Sequence, residues 1–543
     1  MENRFKRKIL IIITAFMMVC SIPKVIKAAP VVFNVSTGAQ FLQAIEDINN
    51  GTETDYVISL KADIDVLTTD FIYLTRGNTT ILGNGHEITN IYGFMVFSYD
   101  PNVSIPTLTL GQQDGNNILK INGSYTGNVP PYNMFLVSNK SIINMHKGVE
   151  IYNRNIPLVD YGGYIFYVGY EATFNMYGGS IKNCFVEKTE TSYCAMIRVE
   201  YGTLNISGGQ ISNNTVQDSP IDDNNRMIYS AVIVSQAGTI NINGGSITNN
   251  KLIFNGTESY GDGVVLHAIG STINVSNANI SGNEMICNNV NNIQYCRGGA
   301  IYAFASTLVI DNSVITNNKV LHNRGYGGAI AVYLTDLTIT NSLVAFNTAG
   351  HSANDISFDS ESGNKLYLPT ADSMNAKQTT PYMNSITGWY EDNILGRWSM
   401  TDPTPAFTTL QNDALIGYYE LVAGYEKAKL ITYNSNGGQG ADYYQNLGAD
   451  ILALDNAVVG FTKADYEFTG WNTAADGSGT AYAAGESLPP TDLGFILYAQ
   501  WKVKPVTPET GDIFNPNIFM SLMILSGIGL VVLNKKYKKQ ENN

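Results

Sequence analysis

A pattern that recurs about every 30 residues through the middle of the chain constrains its fold more than any other feature. Its clearest turns begin at Thr173, Thr203, Thr239, Thr272, Thr307 and Asp336. In each turn the residues one, three and eight positions after the start are apolar. Apolar side chains at alternate positions are typical of β-strands with one buried face, so the pattern predicts short strands.

Several short strands in each repeat, separated by Gly and Asn corners, indicate the coils of a right-handed parallel β-helix. Successive coils would stack about 4.8 Å apart, so that each apolar column becomes part of a continuous core. Weaker turns of the pattern begin near Thr80, Thr107 and Ile142. We therefore predict an all-β chain with a right-handed parallel β-helix over residues 79–350.

Asparagine occupies the eleventh position after the start in every turn from the second onwards. These residues are Asn214, Asn250, Asn283, Asn318 and Asn347, and the equivalent residue of the first turn is Cys184. Asparagine tolerates left-handed backbone geometry and can bond to neighbouring coils, so the shared register predicts a structural ladder at one corner. The alternative for each asparagine is an ordinary surface turn.

The segments on either side of the repeat lack its period. We predict that residues 30–78 form an N-terminal cap. In it, an amphipathic helix at 38–49 and a strand at 56–60 would cover the open edge of the first coil. Residues 351–428 are interpreted as a C-terminal cap and connector.

The chain is acidic, with a formal net charge of −14 at pH 7. Nucleic-acid binding is disfavoured, because phosphate contacts need basic patches. The sequence also lacks an HExxH motif and the cysteine spacing of a zinc site, so neither a metal nor a cofactor is predicted.

Four cysteines in the repeat region fall into two close pairs, Cys184 with Cys194 and Cys287 with Cys296. In a secreted protein this proximity predicts local disulfides, each of which would stabilise the fold by about 2–3 kcal/mol. The alternative is that the cysteines remain thiols, and the sequence does not decide between the two.

The two ends of the chain carry processing signals. Basic residues from Arg4 to Lys8, an apolar stretch and the small pair Ala28-Ala29 predict a secretory signal peptide over residues 1–29. Residues 503–543 contain TPETG at 507–511, a predicted transmembrane run at 518–533 and a basic tail. This order resembles the LPxTG-type sorting signal of Gram-positive surface proteins, with Thr507 where leucine is usual.

That resemblance implies that a sortase recognises Thr507, Pro508 and Glu509 and cuts between Thr510 and Gly511. Sortase and peptidoglycan are then the implied partners, and the protein would be secreted and anchored in the cell wall at the cell surface. The alternative is a plain C-terminal membrane anchor.

The coil region is similar to the pectate-lyase-like β-helix superfamily, and especially to adhesin-type surface proteins, through the GGAI motifs at 298–301 and 327–330. Residues 429–502 resemble a Listeria–Bacteroides repeat, the B-repeat of internalin, through ITYNSNGG at 431–438, the segment 468–482 and LYAQW at 497–501. This second resemblance implies a small β-grasp-like domain. Trp471 and Trp501 are predicted to be core residues, because so small a domain needs large aromatics to bury enough surface.

Outward-facing columns on the strand before each repeat start are the natural place for an active site. In the predicted register they contain a single carboxylate, Glu200, whereas glycosidases need two acids and lyases need a base or calcium ligands. Arg198 and His267 are interpreted as ordinary surface residues. Neighbouring loops hold the remaining candidate acids, Asp222, Asp223 and Asp262.

The same columns place Tyr170, Tyr302, Phe304 and Tyr333 outward. Exposed aromatic rings on a flat ladder suit sugar stacking or protein docking, so these four are the predicted binding residues. The alternative is that long loops or the caps cover them as a secondary core.

Taken with the resemblances, these features imply an adhesin: a wall-anchored surface protein that binds a glycan or protein on a host or neighbouring cell, with no catalytic residue of its own. A polysaccharide lyase or glycoside hydrolase of the β-helix type is the alternative, and a passive structural protein is a third. Fold alone does not choose between them.

Overall fold

A computed structural model describes most of the chain between the two processing signals. The described residues are 28–100, 105–126, 133–159, 163–188, 195–218, 226–228, 230–255, 259–288, 295–360, 363–378, 384–399, 414–427, 430–446, 451–489 and 495–505. They form two compact units, divided after Lys427.

Several predicted features lie outside the described residues. They are the signal peptide up to residue 27, the sorting segment from residue 506 with its motif Thr507, Pro508, Glu509, Thr510 and Gly511, and also Cys194, Asp222 and Asp223. Within the described ranges, no helix combines the length and apolarity needed to cross a membrane.

Strands of the first unit stack into long parallel sheets typical of a β-helix, numbered here in the order in which a coil passes through them. Sheet 1 contains Val31–Val35, Asp55–Leu60, Asn78–Leu82, Thr107–Leu110, Ile142–Met145, Thr173–Met176, Thr203–Ile206, Thr239–Ile242, Thr272–Ser276, Thr307–Asp311, Asp336–Thr340 and Leu366–Tyr367. Sheet 2 contains Ile64–Asp65, Glu87–Thr89, Leu119–Asn122, Val149–Tyr152, Ser180–Lys182, Gln210–Ser212, Ser246–Thr248, Asn279–Ser281, Val314–Thr316 and Leu343–Ala345.

Three more sheets complete the coils. Sheets 3 and 4 begin only in later coils, and sheet 5 is the last sheet through which each coil passes. Sheet 3 contains Asn155–Val159, Phe185–Lys188, Thr215–Asp218, Lys251–Phe254, Glu284–Cys287, Lys319–Leu321 and Thr348–Ala349. Sheet 4 contains Arg226–Ile228, Ser259–Asp262, Tyr295–Arg297 and Gly325–Tyr326. Sheet 5 contains Ile72–Leu74, Phe94–Phe97, Asn133–Ser138, Tyr164–Val168, Ile197–Glu200, Ile233–Gln236, Leu266–Ile269, Ile301–Phe304, Ile330–Tyr333, Ile356–Asp359, Tyr418–Lys427 and Asn384–Glu391.

Alternation along the strands fixes the core, as the repeat predicted. The residues one, three and eight positions after each repeat start point inward and are fully or almost fully buried, as in Leu204, Ile206 and Ile211. Each lies beside its equivalent in the next coil, so the columns join into one continuous apolar interior. The parallel β-helix-like fold predicted from the period is therefore confirmed.

Both ends of the stack are covered by elements that do not belong to the repeat. At the N-terminal end helix α1, Gly38–Asn50, begins after its N-cap Thr37 and buries Phe41 and Ile45 on the core. At the C-terminal end helix α2, Ala371–Asn375, lies near two antiparallel strands that finish sheet 5. Parallel pairing extends beyond residues 79–350 on both sides, from strand Val31–Val35 to strand Leu366–Tyr367.

The five predicted ladder asparagines lie in one buried column between sheets 2 and 3. Each side-chain amide donates to the next asparagine Oδ1 over 2.9–3.0 Å, and the last one donates to Asp355. The left-handed backbone expected of these asparagines instead belongs to the preceding residue, as at Asn213 and Asn249. The side chain of each ladder residue is thereby turned inward, where it bonds between coils.

Cys184, Cys287 and Cys296 are buried and form no disulfide in the described part of the chain, so the structure favours the thiol alternative over a Cys287–Cys296 bridge. The two residues belong to different sheets, where Cys287 pairs with Phe254 and Cys296 with Gly261 in the neighbouring coil. The Cys184 thiol donates to the Lys182 carbonyl at 3.4 Å, and burial raises its pKa to about 12. Each cysteine thus behaves as a small core residue.

The second unit is a small β domain with its own core. Sheet 6 contains Tyr443–Asn446, Leu430–Asn434, Phe495–Val503, Tyr466–Asn472 and Ala481–Tyr482 in spatial order, and helix α3 is Asn456–Val459. Trp471 is buried at its centre, and its indole N–H donates to the Leu454 carbonyl at 2.7 Å. Trp471 is therefore a core residue as predicted, whereas Trp501 is partly buried, packs against that core and donates to the Ser435 carbonyl.

Candidate functional site: a tyrosine-walled cleft on sheet 5

Two columns of outward-facing side chains run along the outer face of sheet 5. The first passes through Tyr167, Arg198, Val234, His267, Tyr302, Ala331 and Ser357. The second passes through Glu200, Gln236, Ile269, Phe304, Tyr333 and Asp359. The face therefore brings together three of the four predicted binding residues.

Tyr170 lies outside both columns, which corrects its placement. Its coil has one more residue between sheets 5 and 1 than the next coil, so Tyr167 pairs with Arg198 and not with Ile197. Tyr170 consequently falls in the turn after the strand, where it is 60% exposed. A shift of one residue is enough to change the face on which a strand side chain lies.

The middle of the first column is covered, which corrects two further interpretations. Tyr302 is only 5% exposed and His267 is buried, although both point out of sheet 5. Sheet 4 places Asp262 and Arg297 over them. Burial lowers the pKa of His267 to about 4 despite the nearby Asp262 carboxylate, so the ring is neutral at pH 7 and is no surface residue.

Arg297 is held rigidly at the border between the covered and open parts of the face. Its Nε and Nη2 donate to the two carboxylate oxygens of Asp262 at 2.8 and 2.9 Å. Its guanidinium carbon lies 4.3 Å from the ring centre of Tyr302. Although burial lowers the pKa of Arg297, the Asp262 carboxylate raises it above its ordinary value, so the guanidinium stays charged.

Beyond Arg297 the face opens into a cleft of about 270 Å³. Its walls and floor are formed by Tyr295, Arg297, Tyr302, Tyr326, Ala331, Val332, Tyr333, Ser357, Asp359 and Tyr418. Tyr333 stacks on Phe304, with ring centres 5.5 Å apart, and both rings are partly exposed. Tyr295 and Tyr418 are more open still, at 46% and 57% exposure.

Two carboxylates flank the C-terminal side of the cleft. Asp359 follows Tyr333 in the second column and lines the cleft directly. Glu420 is nearly buried and accepts hydrogen bonds at 2.6 Å from the hydroxyls of Tyr418 and Ser352. Partial burial raises the pKa of Tyr418, and the hydrogen bond to Glu420 raises it to a lesser extent, so the hydroxyl stays protonated.

This arrangement suits a flat, hydroxyl-rich ligand. Tyrosine rings on both walls can stack on a ring face, while hydroxyls, the remaining Arg297 N–H groups and Asp359 can hydrogen-bond its edges. Across the described residues, no group of three or more His, Cys, Asp or Glu side chains is placed to hold a metal ion.

Sequence reasoning missed Tyr295, Tyr326 and Tyr418. Two of them belong to sheet 4, in the arc where the repeat varies in length, and they stand just before the GGAI motifs. A tyrosine within the three positions before that motif in both turns is the signal that marks them. Tyr418 comes from the antiparallel strand of the C-terminal cap, to which the repeat offers no guide.

Comparisons with known proteins identify the second unit alone. Searches of curated proteins and of solved structures found no match to the chain. Residues 430–500 match the family model of the Listeria-Bacteroides repeat domain, which covers the five strands of sheet 6 except the last three residues of Phe495–Val503. The small β domain predicted at 429–502 therefore carries a Listeria-Bacteroides repeat.

Proposed function

We propose that this protein is a cell-surface binding protein, an adhesin in the broad sense, that holds an uncharged glycan in the sheet 5 cleft. The observation that carries the proposal is the tyrosine lining, with Tyr295 and Tyr326 on one side and Tyr333 and Tyr418 on the other. Stacking of sugar rings on such side chains provides affinity through apolar contact, and the surrounding polar groups provide orientation.

The charges around the cleft favour a neutral ligand over an acidic one. The positive charge of Arg297 is matched by the Asp262 carboxylate, and two further acidic side chains, Asp359 and Glu420, lie at the same end of the face. The chain as a whole is also acidic, at −14. An anionic glycan would therefore meet repulsion on approach.

Surface attachment is proposed from the sequence signals at the two ends. Secretion through the 1–29 segment and cleavage between Thr510 and Gly511 would place the cleft outside the cell. With Thr510→Ala, we expect protein that detergent alone releases from the membrane. Covalent wall linkage in that variant would contradict the sorting assignment.

Binding can be tested with the chain from residue 28 to 505 against laminarin, mannan, xylan and dextran, with alginate and heparin as acidic comparators. We expect saturable binding to at least one neutral polymer and none to the acidic ones. Tyr333→Ala should weaken that binding about tenfold, or about 1.4 kcal/mol, because one stacking surface is lost.

The matched control is Tyr177→Ala, which removes an exposed tyrosine from the turn between sheets 1 and 2. It should leave the affinity unchanged. Equal losses in both variants, or no binding by the unmodified chain, would reject the cleft as the binding site.

A polysaccharide-cleaving enzyme is the second candidate, and the acid in the cleft is the observation that favours it. Asp359 lies beside the aromatic walls, and a general acid or base would need such a position. Release of reducing or unsaturated ends from any of the polymers, abolished by Asp359→Asn, would establish the enzyme in place of the adhesin.

A further inference from the structure

A second group of exposed aromatic side chains lies on the same face as the cleft, at the opposite end of sheet 5. Tyr73, Phe97 and Tyr99 form this group, called here the N-terminal aromatic patch. The Phe97 ring lies 6.2 Å from that of Tyr73 and 4.7 Å from that of Tyr99. Tyr99 is 81% exposed, which is far more than folding requires of a large aromatic side chain.

The patch repeats the composition of the cleft. A surface cavity of about 510 Å³ beside it is lined by Tyr99, Arg76, Asp100, Glu53 and Ile105 together with Gly77 and small polar residues. Aromatic rings, one arginine and one aspartate thus occur together at both ends of the face. Neither place has the uniform apolar surface typical of a protein–protein interface core.

A continuous path along the second column connects the two places. From Phe97 it runs through Ser138, Gly169, Glu200, Gln236, Ile269 and Phe304 to Tyr333. The path side chains beyond Gly169 are partly exposed, whereas the adjoining first column is buried at Val234 and His267. Seven steps of about 4.8 Å separate Phe97 from Tyr333, or roughly 34 Å.

We infer that the N-terminal aromatic patch is a second contact site for the same glycan chain that occupies the cleft. The inference rests on the proposed function and extends it, because it requires a linear polymer long enough to span both sites. The ladder holds the two sites at a fixed distance, so binding at one raises the effective concentration of the polymer at the other. A single short fragment cannot reach both sites, so it gains nothing from the second one.

Chain length provides the test. The chain from 28 to 505 is titrated with laminarin, mannan, xylan and dextran, each as the polymer and as its two- to four-sugar fragments. For a polymer that binds, we expect an affinity at least a hundredfold above that of its fragments. Tyr99→Ala should remove most of this advantage and leave the affinity for fragments in the cleft unchanged.

Two further variants separate the outcomes. Tyr333→Ala should weaken polymer and fragments together, because it damages the cleft itself. Tyr99→Trp keeps a stacking surface and should restore polymer binding. Since Tyr99 is so exposed, its truncation should leave the thermal midpoint unchanged.

Polymer affinity that Tyr99→Ala does not alter would overturn the second site, and so would equal losses for polymer and fragments. Either result would leave the cleft proposal standing if Tyr333→Ala still weakens binding. If the unmodified chain binds none of the polymers, the proposed function fails, and the two-site inference fails with it.

Discussion

Two asparagine ladders run along this protein, and they differ in burial. The first is the predicted ladder between sheets 2 and 3, whose members are at most 5% exposed. The second lies on the outer face of sheet 1 and consists of Asn144, Asn175, Asn205, Asn241 and Asn274, all partly exposed. Its amides also form a chain of hydrogen bonds, at 2.8–2.9 Å, but they donate toward the preceding coil.

The side chains of the buried ladder form hydrogen bonds to backbone groups as well as to one another. The Oδ1 of Asn283 accepts from both the side-chain amide and the backbone N–H of Asn250, while its Nδ2 donates to Asn318 and to the Ile247 carbonyl. On the outer face each amide makes only the bond to its neighbour, and water can replace that bond. The comparison teaches that an identical side-chain stack is a structural requirement in one place and a minor contribution in the other.

The largest effect is expected from Asn283→Ala in the middle of the buried ladder. The substitution leaves the Asn250 backbone N–H and the Ile247 carbonyl buried without their partner, at about 1–3 kcal/mol each. We therefore expect the free energy of unfolding to fall by about 3 kcal/mol or more, measured by urea denaturation. A loss below about 1 kcal/mol would show that water enters the corner, and the two ladders would then be equivalent.

Only the buried ladder ends on an ionisable group. Asp355 accepts from Asn347 on one oxygen and from the Ala423 N–H on the other. The pKa of Asp355 is raised to about 7, chiefly by burial. The hydrogen bonds act to lower it, and the buried Asp392, which pairs with Arg397, contributes to the rise.

Because the folded state binds this proton more tightly than the unfolded chain, the stability it contributes is present below about pH 4 and is lost as the pH rises toward 7. We expect the unfolding free energy of the native sequence to fall over this range relative to Asp355→Asn, which has no proton to lose. A difference between the two proteins that stays constant from pH 4 to 8 would contradict the raised pKa.

The sequence predicts the buried positions of the coils better than the positions on their outer faces. Inward columns and the buried ladder were predictable because burial fixes both the alternation and the register. The outer face was predicted less well: one extra residue after Val168 displaced Tyr170, and sheet 4 covered Tyr302 and His267. The short strands of sheet 4 lie in the arc of variable length, where no period reveals them.

The second ladder, by contrast, was visible in the sequence and was missed. Asparagine stands two positions after the repeat start in Asn175, Asn205, Asn241 and Asn274, between the two apolar residues used to find the strands. Tyr418 has no such signal, because it reaches the cleft from a cap, 85 residues after Tyr333, the last aromatic of the repeat face.

Cys184 offers a way to lengthen the buried ladder by one member. Its backbone N–H already donates to the Asn214 Oδ1 at 3.0 Å, but its thiol supplies no amide to the column. Cys184→Asn should place a side-chain amide within reach of the same oxygen and stabilise the fold by up to about 1 kcal/mol. Thr109→Asn, which extends the outer ladder beyond Asn144, is the matched control and should change stability by less. A destabilised Cys184→Asn would show that the corner has no room for an amide.

Asn241→Ala, in the middle of the outer ladder, should have the smallest effect. It removes the bonds to Asn205 and from Asn274, yet both neighbours stay accessible to water and lose no obligatory partner. We expect a loss of about 0.5 kcal/mol, as for a solvated side-chain pair across strands, measured beside Asn283→Ala under the same conditions. A loss as large as that of Asn283→Ala would mean that stacking itself, and not burial, gives an asparagine ladder its strength. The outer face of sheet 1 would then contribute to stability as much as the core corner does.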